Sequence, residues 1–152
     1  MNRITNKHVF ICIGTNKIMG DCLGPIVGTY LKSKFKDRLY EDIEVYGDIY
    51  NPIDYNSIHS ILNLLEPKNE KCTRILVDSA LGENVGDIVI NSGGINIGEG
   101  ILKGKQIVAD INIKGIVGKN YKSIKKNMNQ LGKINFNQIN QMANYIVRAI
   151  EV

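Results

Sequence analysis

The chain has 152 residues, 43% of them hydrophobic, which is enough for one domain with a real core. Its formal charge of +4 is spread along the chain, with Lys125-Lys126 the one adjacent basic pair, so the dense basic stripe of a dedicated nucleic-acid protein is excluded. No apolar run is long enough to span a membrane, Met1 to His8 is polar with no secretory signal, and three cysteines without metal-ligand spacing argue against a disulfide framework or a zinc site; a reducing cytoplasm is the expected setting.

In chain order, Val9-Phe10-Ile11-Cys12-Ile13 predicts a strand buried on both faces. It leads into a loop from Gly14 to Gly24, and the spacing of Ile26, Val27, Tyr30, Leu31 and Phe35 predicts a helix over 25–36. Pro25 suits that helix's first turn, where no backbone N–H is missed. The loop is not a phosphate cradle. A Walker loop needs Gly-x-x-x-x-Gly-Lys, but five residues separate Gly14 from Gly20 and Asp21 replaces the lysine. Gly14-Thr15-Asn16 likewise breaks the dinucleotide fingerprint.

Ile43 to Gly47 predicts a short strand, and Asp48 to Pro52 a polar turn. Ile58, Ile61, Leu62 and Leu65 have helix spacing over 54–65, and Pro67 stops the helix. Arg74-Ile75-Leu76-Val77-Asp78 predicts a second buried strand ending in an acid, followed by a small-residue loop. This strand–helix alternation implies a parallel sheet with right-handed crossovers. Segments 86–91 and 107–117 read as strands that pair antiparallel at the sheet margin; the polar face of the second, with Asp110, Asn112 and Lys114, suits a half-exposed or edge strand. Between them, 92–104 is rich in glycine and reads as a long loop or hairpin arm. Tyr121 to Leu131 is a shorter helix, and Phe136 to Ile150 is amphipathic. No repeat or linker divides the chain, so residues 1–152 form one α/β domain.

Asp21 follows the first strand and Asp78 ends the strand after the second helix. In a parallel sheet both acids crown the same edge, where open α/β sheets collect their ligands. Two close carboxylates cannot both ionise freely, so such a pair divides acid and base roles and activates a water. A shared water requires carboxylate oxygens roughly 4–6 Å apart. Asp21, beside a helix N-terminus, is the expected ionised partner, and Asp78 the shared or protonated one. The bland alternative is that Asp78 caps a loop and Asp21 caps the helix. Asn16, Lys17, Gly20 and Ser79 are the expected substrate-binding residues. Cys22 is a rival nucleophile at a helix start, but Asp21 opposes thiolate formation and no histidine is placed as its base. No cofactor is expected; two acids would suit a hard cation, with Asn16, Asp48 or His59 open as a third ligand.

Gly14-Thr15 with Gly20-Asp21-Cys22-Leu23-Gly24-Pro25-Ile26-Val27-Gly28 resembles the signature of the YyaC-type sporulation proteins of spore-forming bacteria. Val77-Asp78-Ser79-Ala80-Leu81-Gly82 resembles their second motif, and Ile113-Lys114-Gly115-Ile116-Val117 a third. These proteins are similar to the spore germination proteases and, more distantly, to the hydrogenase maturation proteases. The resemblance implies a three-layer α/β/α fold of the hydrogenase-maturation-protease type. It also implies a pair of catalytic aspartates, which by motif position are Asp21 and Asp78. Asn16 and Lys17 stand where the family has an aspartate and an arginine, and Ile97-Gly98 where it has Pro-Gly. No histidine falls in a matching motif, so the nickel site of the maturation proteases is not carried over. The implied function is that of a sporulation-associated peptidase in the spore or forespore cytoplasm. Its partner would be a peptide or spore protein, with no nucleic acid and no membrane. The alternative is a non-catalytic binding protein on a degenerate protease fold.

Overall fold

The computed structural model describes residues 6–36, 42–54, 56–60, 72–93, 95–96, 106–107 and 109–151. Val9 to Cys12 are all buried, so the first strand, β1 (Lys7–Cys12), has a core on each side. Helix α1 (Leu23–Phe35) follows, then β2 (Ile43–Tyr46), β3 (Cys72–Leu81) and β4 (Ile88–Ser92). A two-residue pair, β5 (Ile95–Asn96) with β6 (Gln106–Ile107), forms a small antiparallel arm. Strand β7 (Ile111–Gly118) and helices α2 (Ile124–Leu131) and α3 (Phe136–Ala149) complete the chain. The sheet order is β2-β1-β3-β7-β4, parallel except for β4, which runs antiparallel to β7.

The period of two along each strand sorts side chains into two cores. Phe10, Cys12, Ile75, Val77, Ile113 and Val117 meet α1 and α3 on one face. Val9, Ile11, Ile13, Leu76 and Ala109 meet Ile53 and Ile58 on the other. The helix expected over 54–65 begins at 58–60 on that second face; its remainder, Ile97-Gly98 and most of 92–104 lie outside the described residues. Among the described residues, no helix is long and apolar enough to cross a membrane.

The α1 segment owes its place to two glycines four residues apart on the face that meets the sheet. A Cβ at Gly24 would stand 2.7 Å from the Ile13 carbonyl carbon, and one at Gly28 2.9 Å from that of Gly47. Helix backbone therefore rests directly on strand-end backbone. Ile139, Met142, Ala143 and Ile146 bury the amphipathic face of α3 beside α1, and Lys34 of α1 donates to the Val147 and Ile150 carbonyls at 2.8 and 2.7 Å, closing the end of α3.

Two expectations change. The strand expected over 74–78 runs on to Leu81, so Asp78 is inside β3 rather than at its tip. The edge place goes to β4, whereas β7 lies between β3 and β4. The polar face of β7 is not a solvent face: Asn112 is buried and donates to the Gly93 carbonyl at 2.6 Å.

Asp48 anchors the turn beyond β2. Its Oδ1 accepts from the Tyr50 and Asn51 amides, each at 2.8 Å, and its Oδ2 pairs with the Lys32 ammonium. Burial alone raises its pKa, but Lys32 and the two amides outweigh that and hold it below the usual 3.8. The folded value lies under the unfolded one, so the stabilisation is full above about pH 4 and is lost as pH falls through the folded pKa. Asp48→Asn is expected to lower stability at pH 7 by about 1–3 kcal/mol. Urea unfolding at pH 7 and pH 3 checks this: the gap between variant and wild type should close at the lower pH.

Candidate active site

Gly14 turns the chain out of β1, where its amide donates to the Ile53 carbonyl at 2.9 Å. No larger residue fits there, since a Cβ would stand 2.7 Å from Pro25 Cδ. The loop then closes on itself: the Thr15 amide donates to the Asp21 carbonyl at 3.0 Å and the Asp21 amide to the Ile18 carbonyl at 2.9 Å. A 3-10 turn, Met19–Asp21, delivers Asp21 just before α1. Asp21 does not cap that helix. The N-cap is Cys22, with no side-chain cap bond, and its Sγ donates to the Ile18 carbonyl at 3.1 Å. Burial raises the Cys22 thiol pKa, and the neighbouring Asp21 raises it further. Cys12, in the core, is pushed up to about 12 by burial. Neither thiol is an activated nucleophile.

The Asp21 carboxyl accepts a bond from the Ser79 side chain on β3. Burial raises its pKa, and the Ser79 bond lowers it by less. This direction runs against the expectation that a helix N-terminus keeps Asp21 ionised. Desolvation outweighs a helix end that the side chain does not cap.

Ser79 also ties the second acid to the first, its amide donating to Asp78 Oδ1 at 2.8 Å. Strand alternation sends Ser79 to the α1 side with Val77, and Asp78 to the opposite side with Leu76. On that side the parallel register places Asp78 beside Lys114 of β7, as it places Ser79 beside Gly115. One β3 dipeptide thus links acids on the two sides of the strand. The place is the switch point of the sheet, where the chain leaves β1 on one face and reaches β3 by the other.

The remaining expected residues divide. Asn16 and Lys17 are exposed at the rim; Asn16 Nδ2 donates to the Ile49 carbonyl at 2.9 Å, and the Lys17 charge acts on Asp54. Gly20 is buried against α2, where a Cβ would stand 2.9 Å from Leu131 Cα. Among the described residues, no three His, Cys, Asp or Glu side chains gather as a metal site would require.

The model of the family described as "Protein of unknown function (DUF1256)" matches residues 1–149. The chain belongs to the DUF1256 family. Over 111 residues it is 34% identical to YyaC of Bacillus subtilis (strain 168), covering 72% of this chain and 52% of that protein. The chain thus spans about half the length of the curated relative it matches. Among solved structures it is similar to the [NiFe] hydrogenase maturation protease HycI from Thermococcus kodakarensis KOD1, with a TM-score of 0.59, 15% identity, and 94% of this chain and 88% of that one covered. It is equally similar to peptidyl-tRNA hydrolase from Acinetobacter baumannii, with a TM-score of 0.59, 16% identity and coverage of 97% and 86%. At these identities the likeness shows the fold.

In this DUF1256 chain the motifs divide their work. Gly14, Gly20, Gly24 and Gly28 set close backbone approaches, while Asp21, Asp78 and Ser79 carry the polar groups. Reading the sequence missed the place of Lys114 next to Asp78. The signal was there, in the alternation of 107–117, once the β3–β7 register is known.

Proposed function

We propose that this chain is a sporulation-associated, peptidase-like protein in which Asp21 and Asp78, tied together by Ser79 from opposite sides of β3, divide the acid and base roles in cleaving a peptide bond. The observation that carries the reading is the linkage Asp21–Ser79–Asp78 at the switch point, with burial raising the pKa of Asp21 above its ordinary value. In this reading Asp21 gives its proton to the leaving amine, and Asp78 takes the proton of the attacking water. Ser79 holds Asp21 in place through its hydroxyl, and Lys114 supplies positive charge beside Asp78. Asn16 and Lys17 stand at the rim, where a peptide would cross, and the expected substrate is a peptide or spore protein in the spore or forespore compartment.

The test is incubation with unfolded and spore-derived polypeptides, followed by mass spectrometry for new termini between pH 4 and pH 9. Cleavage by the wild type that Asp78→Asn abolishes supports the reading. Undiminished cleavage by a folded Asp78→Asn protein ends it.

A second reading, a non-catalytic peptide-binding protein on the same fold, draws on the alternation of β3, which turns the two acids to opposite sides of the strand. It expects peptide binding without new termini at any pH, and binding that Lys17→Ala weakens while Asp21→Asn does not.

A further inference from the structure

Helix α2 carries an apolar stripe that runs off the fold. Ile124, Met128 and Leu131 stand at i, i+4 and i+7, on one side of the helix. Leu131, at the C-terminal end, is buried against Gly20. Met128 is 53% exposed, and Ile124, at the N-terminal end, 85%. Tyr121, also exposed, precedes the helix. About 10 Å of helix separates Ile124 from Leu131, so the packed end holds up a tip that projects.

Side-chain bonds fix the shape of that tip. The Lys119 amide donates to Gln130 Oε1 at 3.1 Å, and the Tyr121 amide to Asn127 Oδ1 at 2.9 Å. Asn120 Oδ1 accepts from the Lys122 amide at 2.9 Å and from Asn127 Nδ2 at 3.2 Å. Ser123 caps α2 by accepting from the Lys126 amide. Lys122 has φ +54°, and among the described residues it is the one residue other than glycine in the left-handed region. Glycine or asparagine adopts that backbone at less cost. A lysine held there against the strain points to a use for its charge.

Cations are spread along the chain, but acids are not: of 15 Asp and Glu, only Glu151 follows Asp110. Lys119, Lys122, Lys125 and Lys126 are all exposed, and among the described residues none of them pairs with a carboxylate. Glu83 follows Gly82, whose amide donates to the Gly118 carbonyl, so one acid stands toward the Lys119 end.

We propose that this tip docks on an anionic lipid surface, with Ile124, Met128 and Tyr121 entering the headgroup layer and Lys122, Lys125 and Lys126 meeting the lipid phosphates. Charge complementarity calls for an anionic partner, and the projection of Ile124 selects a bilayer among them. A protein would need a groove cut to the tip, whereas a bilayer receives a convex apolar end as it comes, and lysine stems reach back to headgroup level. Nucleic acid offers phosphates but no apolar layer for Ile124 and Met128. Peripheral contact needs no spanning helix, and it departs from the expected absence of a membrane partner.

Flotation of the full chain with vesicles tests this. Binding is expected with phosphatidylglycerol and phosphatidylcholine in equal parts, not with phosphatidylcholine alone, and should fall as salt rises. Lys122→Asn should weaken binding about fivefold, the share of one lysine near such a surface, while raising stability in urea because asparagine suits the left-handed backbone. Lys36→Gln removes the same charge at the end of α1 and should leave binding unchanged. The chain has no tryptophan, so the emission of Ile124→Trp reports on the tip alone and should shift to the blue with the mixed vesicles, whereas that of Tyr145→Trp should not. No binding to the mixed vesicles, equal losses from Lys122→Asn and Lys36→Gln, an unshifted Ile124→Trp emission, or tighter binding to polyglutamate or RNA than to the vesicles overturns the proposal.

Discussion

Gly28→Ala is expected to leave little or no native protein. A Cβ there meets the carbonyl group of Gly47, and neither backbone can yield: Gly28 is inside α1, while Gly47 has φ +88° and lies so near β1 that a Cβ on it would stand 3.2 Å from the Cys12 carbonyl carbon. Overpacking against side chains costs about 1–3 kcal/mol; here the obstacle is backbone, so the cost is at or above that range. Single domains have only about 5–15 kcal/mol of stability. Gly24→Ala, against the Ile13 carbonyl, should behave alike. Gly132→Ala is the control, for at φ −70° with open space around it the substitution should be neutral or stabilise by about 0.4–1 kcal/mol. Circular dichroism and urea titration of the three variants check the contrast. Native stability in Gly28→Ala would mean that α1 does not rest on Gly47.

The second large effect separates stability from chemistry. Asp21→Asn is expected to raise the melting temperature at pH 7 and to lower peptide cleavage by about 10²–10⁴-fold, the usual contribution of a positioned acid. The sign follows from burial, which raises the folded pKa of Asp21 above its unfolded value. The folded chain then holds a proton that the unfolded chain has released, so Asp21 costs stability as pH rises from about 3.8 through the folded pKa. Asparagine removes that cost and still accepts the Ser79 bond. Melting curves from pH 3 to pH 8 should show variant and wild type converging at the acid end and parting above it. A variant less stable than wild type at pH 7 would assign Asp21 a structural role instead.

The parallel sheet was legible because its signal is local. Val9 to Ile13 and Ile75 to Val77 are unbroken apolar runs, and Ile139, Met142, Ala143 and Ile146 keep helix spacing in α3. Asp21 and Asp78 were legible as candidates because each follows or ends such a run. Their environments were not. The proton preference of Asp21 depends on burial and on Ser79, which lies 58 positions away along the chain (79 − 21). The side on which Asp78 lies depends on β3 continuing to Leu81, past the point where its apolar run ends, so that alternation still governs Asp78 and Ser79. The edge was misplaced for a related reason. Asn112 looked like a solvent-facing residue, yet its amide is spent on the Gly93 carbonyl inside the fold.

The contact of α1 with the strand ends also bears on what the glycine motif can say about descent and activity. Gly24 and Gly28 record how closely a helix lies on a sheet, and Gly14 how sharply the chain leaves β1. A protein chosen for these glycines alone would be chosen for its frame. It could exchange Asp21, Asp78 or Ser79 and lose one chemistry or gain another without moving a backbone atom, because the loop's path is dictated from beneath. Relatives that share the glycines are therefore best sorted by what stands at those three positions, and enzymes and binders should part company there while their frames still superpose.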